Sequence, residues 1–139
     1  MEYRKFGDTY VVRMDRGEEI ISCLAGLCRK EDIRMASVDA LGEVDHAAVT
    51  VYDVPARVFH NREFNEPMEI GSLCGNVTRR DGEVYIHLHV TLCDVNAAVH
   101  GGHAKELHCS ATCEMFVRTL PGEVGRRFDE ETGLNLFRF

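Results

Sequence analysis

Strict alternation marks Val84-Tyr85-Ile86-His87-Leu88-His89-Val90-Thr91-Leu92. Val84, Ile86, Leu88, Val90 and Leu92 fall on one phase, and Tyr85, His87, His89, Thr91 and Cys93 on the other. A period of two with one apolar phase predicts a β-strand with one dry face. Similar patterns predict strands over Thr9–Met14, Ile33–Leu41 and Val44–Tyr52, the last two separated by a turn at Gly42. A short strand is expected over Arg57–Phe64, between Pro55 and Pro67. Met68–Val77 reads as a strand joined through an Asp81-Gly82 hairpin turn to the histidine strand, so the two should pair antiparallel. Gly71 and Gly75 inside it signal a bulge or a close backbone approach. Cys109, Ala111, Cys113, Met115 and Val117 form the apolar phase of a further strand, with Glu114 on the other phase. After a turn at Pro121-Gly122, Leu134–Phe139 predicts a terminal strand tied down by packing, against another subunit.

Only one segment carries helical spacing. Ile20, Ile21, Leu24, Leu27 and Cys28 form a single apolar stripe. Asp15 is the expected N-cap, with Glu18 reaching back, and Arg29 and Lys30 suit the negative end of the helix dipole. The expectation is an α+β fold: a mostly antiparallel sheet with one main amphipathic helix packed on it, forming a single domain over residues 1–139.

Length and charge narrow the function. A chain of 139 residues buries roughly two-thirds of its unfolded surface, enough for a core that needs neither disulfides nor a structural metal. The formal net charge is −7, and no basic run is longer than Arg79-Arg80 or Arg126-Arg127. That weighs against duplex DNA as a partner, because such binding depends on neutralising several phosphates together. The amino terminus does not resemble a signal peptide and no stretch is long enough to span a bilayer, which predicts a cytoplasmic protein. Cys23, Cys28, Cys74, Cys93, Cys109 and Cys113 form no CxxC pair and read as buried thiols.

Candidate chemistry concentrates on the polar phase of the histidine strand. At ~3.3 Å per residue, His87 and His89 lie ~6.6 Å apart along the strand and project from the same side. The following segment, Asp94–His103, reads as a loop whose Gly101-Gly102 pair turns the chain back over the strand. His103 is then the best-placed third ligand and His100 the second. Cys93, in phase with the two strand histidines, is a further candidate. Three neutral imidazoles with an open fourth position suit Zn²⁺, and other imidazole-binding metals as well. Glu114, Glu106 and Asp94 are the carboxylates that could serve a metal-bound water if the site is catalytic. His46 and His60 have no assigned role; His46 reads as a polar edge residue without a partner histidine.

Four segments in order, Pro67-Met68-Glu69-Ile70-Gly71-Ser72-Leu73-Cys74-Gly75, then Tyr85–Leu92, then Gly101-Gly102-His103, then Thr112 with Glu114, resemble the PPC domain of plants and prokaryotes across nearly the whole chain. The resemblance implies a compact α+β domain assembling as a homotrimer. It also implies, as in prokaryotic members, a zinc ion held by the histidines matching His87, His89 and His103. The family is often described as DNA-binding, largely because plant relatives carry a separate basic AT-hook, a segment this sequence does not contain. One departure is Leu107-His108, where the family usually has a glycine ahead of the strand carrying Thr112. Two kinds of function remain open: a metal-binding module for a small ligand or a regulatory, DNA-associated role, and a metal-dependent enzyme. Weak nucleic-acid binding through a trimer surface is a third.

Overall fold

Alternation along the chain becomes nine strands and one helix in the computed structural model, which spans residues 1–139. In order they are β1 (Glu2–Phe6), β2 (Thr9–Asp15), α1 (Ile20–Lys30), β3 (Ala36–Asp53), β4 (Val58–Phe64), β5 (Met68–Arg80), β6 (Glu83–Cys93), β7 (Val99–Thr119), β8 (Gly125–Asp129) and β9 (Leu134–Arg138). The first seven strands form one antiparallel sheet in the order β1-β2-β7-β6-β5-β3-β4. Because β7 also pairs with β3, the run β7-β6-β5-β3 returns to its own start and the sheet curls closed. The α+β expectation of a mostly antiparallel sheet with one main helix therefore holds, with closure added. No helix is long and apolar enough to cross a membrane.

The core is the concave side of this curled sheet plus the helix stripe. Leu88, Val90 and Leu92 of β6 are at most 3% exposed, each contributing roughly 1.5–3 kcal/mol by burial. The dry face thus anchors the histidine strand from one side, with its ladders to β5 and β7 holding its edges. Ile20, Leu24, Leu27 and Cys28 of α1 are buried against β7 and β6. The helix is not capped by Asp15. Glu19 is the N-cap, its carboxylate accepting from the amides of Ile21 and Ser22 at 3.0 and 2.6 Å, while Glu18 accepts from the Asp15 amide. Asp15 continues β2 instead, and Glu18 is turned back to the Asp15 amide, so the carboxylate directly ahead of Ile20 takes the cap.

Two expected breaks are absent. Gly42 is not a turn; it sits at a bulge within the 18-residue β3, which joins the two segments expected as separate strands. The Asp94–His103 segment is not a loop throughout: the turn occupies residues 94–98 and β7 begins at Val99, so Gly101-Gly102 lies inside a strand. The reason is packing. A Cβ at Gly101 would come within 2.3 Å of the Val90 carbonyl oxygen of β6, and one at Gly102 within 2.7 Å of the Thr50 carbonyl oxygen of β3. The pair lets β7 pass from one neighbour to the other with its backbone pressed on both. The terminal strand β9 is tied down within its own chain, by pairing with β8, which packs on β5.

Candidate metal centre

Register assembles the site. In antiparallel pairs, residues directly opposite share a face. Cys74 of β5 lies opposite His89, which in turn lies opposite His103 of β7; Asn76 lies opposite His87, and Thr78 opposite Tyr85. His87, His89 and His103 therefore meet on the outer face of the β6–β7 hairpin. What returns His103 to His89 is the 94–98 turn, not a glycine turn. Asp94 shapes it, its carboxylate accepting from the amides of Asn96 and Ala98 at 2.8 and 3.0 Å. On the other flank, the glycine at position 75 is required by contact. A Cβ there would lie 2.0 Å from the His87 carbonyl oxygen, so β5 crowds the histidine strand directly under the site.

One potential ligand atom from each of the three histidines falls within 4.8 Å of the others. The Nε2 atoms of His87 and His89 are 3.3 Å apart. That is long for a hydrogen bond, yet it matches the ~3.3–3.4 Å edge of a tetrahedron whose centre is ~2.0–2.1 Å from each nitrogen, the usual Zn–N distance. Ring centroids lie 5.1 to 5.6 Å apart, so the rings converge without stacking. Burial pushes the His87 imidazole down to about 4, reinforced by the charges of His103, Arg126 and His89. Burial likewise lowers His103, helped by His89 and Lys105. Both are thus held neutral near pH 7, the form that offers a lone pair to a metal.

The other candidates lie elsewhere. Cys93 and His100 are outside the cluster; His100 sits 3.3 Å from Asp94 and against Phe64. His108 contacts Glu106 at 2.7 Å and packs edge-on against His46, which β3–β7 register places opposite it. His46 therefore does have a histidine neighbour. The bulge in β7 lies between Cys109 and Cys113, just beyond the Leu107-His108 departure, and leaves Ala111 exposed, off its expected apolar phase. Glu114 faces solvent in a groove with Tyr3, Phe6, Val11 and Phe116. His60 is exposed on β4. Of the thiols, Cys28, Cys109 and Cys113 are buried as expected, with Cys28 and Cys113 pushed up to about 12 by burial, whereas Cys74 is exposed.

Pattern reading missed Arg126. It comes from β8, is half-buried beside the cluster, and carries no periodic signal that could have marked it. Its neighbours, Asn76 and Thr78, belong to the same face of β5 as the residues opposite the histidines.

A curled antiparallel sheet bearing three converging imidazoles defines a class of small β-rich proteins with a prospective metal site. The family model described as the Plants and Prokaryotes Conserved (PCC) domain matches residues 1–121, and the chain belongs to that family. Solved structures agree. A metal-containing protein from Archaeoglobus fulgidus is 34% identical with a TM-score of 0.90, the match covering 99% of this chain and 97% of that one. A candidate DNA-binding protein from Bacteroides thetaiotaomicron is 25% identical with a TM-score of 0.96, covering 99% and 96%. A plant- and prokaryote-conserved protein from Pyrococcus horikoshii is 25% identical with a TM-score of 0.87, covering 99% and 95%. No curated protein matches the chain.

Proposed function

We propose that this protein is a zinc-binding, homotrimeric module for a small ligand, with Zn²⁺ held by His87, His89 and His103 and a fourth position open to water, an anion or a partner's side chain. The observation that carries the reading is the 3.3 Å approach of two imidazole nitrogens with a third in the same 4.8 Å group. The Archaeoglobus relative, described as metal-containing, supports a metal. Zinc is preferred among imidazole-binding ions because a three-nitrogen set with one open corner is its ordinary functional geometry. For the trimer, Val51 on β3 and Val58 on the edge strand β4, which share one face and are each about half exposed, provide an apolar patch for subunit contact. The compartment is the cytoplasm, where the six free thiols stay reduced.

Binding is preferred to hydrolysis because each carboxylate that could serve a metal-bound water is placed for something else. Asp94 builds the hairpin turn, Glu106 holds His108, and Glu114 lies in the groove beside β1 and β2. DNA association, suggested by the Bacteroides neighbour's description, is read here as weak or indirect, given a net charge of −7. The test is elemental analysis of tag-free protein together with the native mass. About one zinc per chain in a trimer is the expected result. Failure to hold or take up zinc would reduce the histidines to a polar strand face.

A further inference from the structure

Arg126 is held with unusual completeness for a surface hairpin residue. Its Nε donates to Thr78 Oγ1 at 3.0 Å, Nη1 to the Asn135 carbonyl at 2.9 Å and Nη2 to Asn76 Oδ1 at 2.8 Å. Its guanidinium carbon lies 4.5 Å from the ring centroids of both Tyr85 and Phe137. A guanidinium has five N–H donors, so two remain free, one on each terminal nitrogen.

Its charge is uncompensated. Arg79, the most buried arginine in an ion pair, has Asp32 at 3.1 Å, but no carboxylate lies within 4.0 Å of Arg126. Nor is the deficit general, since the protein is acidic overall. A partly desolvated cation costs free energy unless an anion meets it. Neutral hydrogen bonds and aromatic faces fix its position without supplying that anion. The position is adjacent to the metal cluster. Asn76, which accepts from Nη2, is the residue directly opposite His87, and Tyr85 precedes His87 by two on the same face of β6.

We propose that Arg126 is the anion-recognising arm of the site, and that the ligand is a small carboxylate whose oxygens engage both the guanidinium and the open position of the metal. The inference rests on the zinc reading above and adds to it the ligand's chemical class. A planar fork suits the two oxygens of a carboxylate, and a neighbouring oxygen donor on the same molecule would complete the metal's coordination. Asn76 and Thr78 act as positioning residues that hold the fork in place. β8 and β9 lie beyond the residues that match the family model, so the metal cluster and the anion arm belong to different parts of the chain.

Oxalate serves as the probe. It is titrated calorimetrically into the zinc-loaded full-length protein, its Arg126→Met variant and its Arg126→Lys variant, with zinc per chain and urea midpoint measured on each. Oxalate is expected to bind the wild type, and Arg126→Met to weaken it about 10- to 100-fold, the range for lost hydrogen bonds to a charged group, with zinc content unchanged. Arg126→Lys, which keeps the charge but not the fork, should fall between. Equal oxalate affinity in wild type and both variants, or no oxalate binding to zinc-loaded wild type, would overturn the assignment of Arg126 while leaving the zinc site standing. Failure of the wild type to bind zinc would overturn both readings, and is visible before any oxalate is added. Should Arg126→Met unfold the hairpin, the lysine variant decides: unchanged affinity overturns the proposal and an intermediate one upholds it.

Discussion

Six of the seven histidines fall into two sets whose surroundings differ in kind. His46, His100 and His108 each face a polar side chain of another type: Asn65 at 2.7 Å, Asp94 at 3.3 Å and Glu106 at 2.7 Å. His87, His89 and His103 face chiefly one another, and burial presses two of them toward the neutral form. Histidines of the first kind are satisfied by the protein itself and need nothing further. Those of the second kind bring one ring nitrogen each into a single group, an arrangement suited to sharing a cation. A count of histidines would not separate the two sets; their partners do.

The sharpest way to break this contrast is to remove one member from each set. His87→Ala and His103→Ala should each lower zinc affinity by more than the ~10–100-fold that losing a mere supporting group costs, while His108→Ala leaves metal content at the wild-type value. Equal zinc loss in all three, by elemental analysis, would erase the distinction. Gly75→Ala attacks the same site through its scaffold. The new methyl cannot coexist with the His87 carbonyl, so stability should fall by about 3 kcal/mol, the upper end of what overpacking costs. A urea midpoint unchanged from wild type would show that β5 does not press on β6 as described.

Acid gives a smaller, graded effect. In the metal-free protein the His87 imidazole titrates near 4, whereas in the unfolded chain it titrates near its ordinary value of 6.5. Between these values the unfolded state binds a proton that the folded state refuses, so stability is lost as pH falls from 6.5 toward 4 and is level above 6.5. His103, lowered likewise chiefly by burial, adds to the slope in the same direction. Comparing urea midpoints of chelated wild type and His87→Gln across that window should show a shallower decline in the variant. Least of all, Glu106→Gln should change neither zinc content nor midpoint measurably, because its contact with His108 is exposed.

Much of this was legible in the residues. The dry phase of β6, the Asp81-Gly82 hairpin and the helix stripe emerge from periodicity because burial imposes it locally. The strand histidines share a face for the same reason. His103 could be named as a third ligand, but by the wrong device: a glycine pair that looked like a turn is a crossing point between β6 and β3, and its cause is a long-range contact that spacing does not encode. The same applies to Gly42, read as a turn and found at a bulge, and to Asp15, displaced as cap by Glu19 because β2 extends one residue further. Arg126 illustrates the limit. Its partners, Asn76 and Thr78, are about 50 residues away in sequence, and nothing near it announces them.

All three prospective zinc ligands lie between residues 87 and 103, on one hairpin closed by a five-residue turn, whereas completing the curled sheet requires β3 to find β7 across a much longer stretch of chain. Short loops close far sooner than long ones, and pairing of distant strands is the slow part of β-rich folding. The metal's holder can therefore exist before the sheet is whole. Zinc present during refolding should consequently accelerate the forward reaction rather than only retard the reverse one, the behaviour of a ligand captured ahead of the rate-limiting step. On that view the ion is also a timing device, setting the alignment of one hairpin around which the remaining strands are gathered.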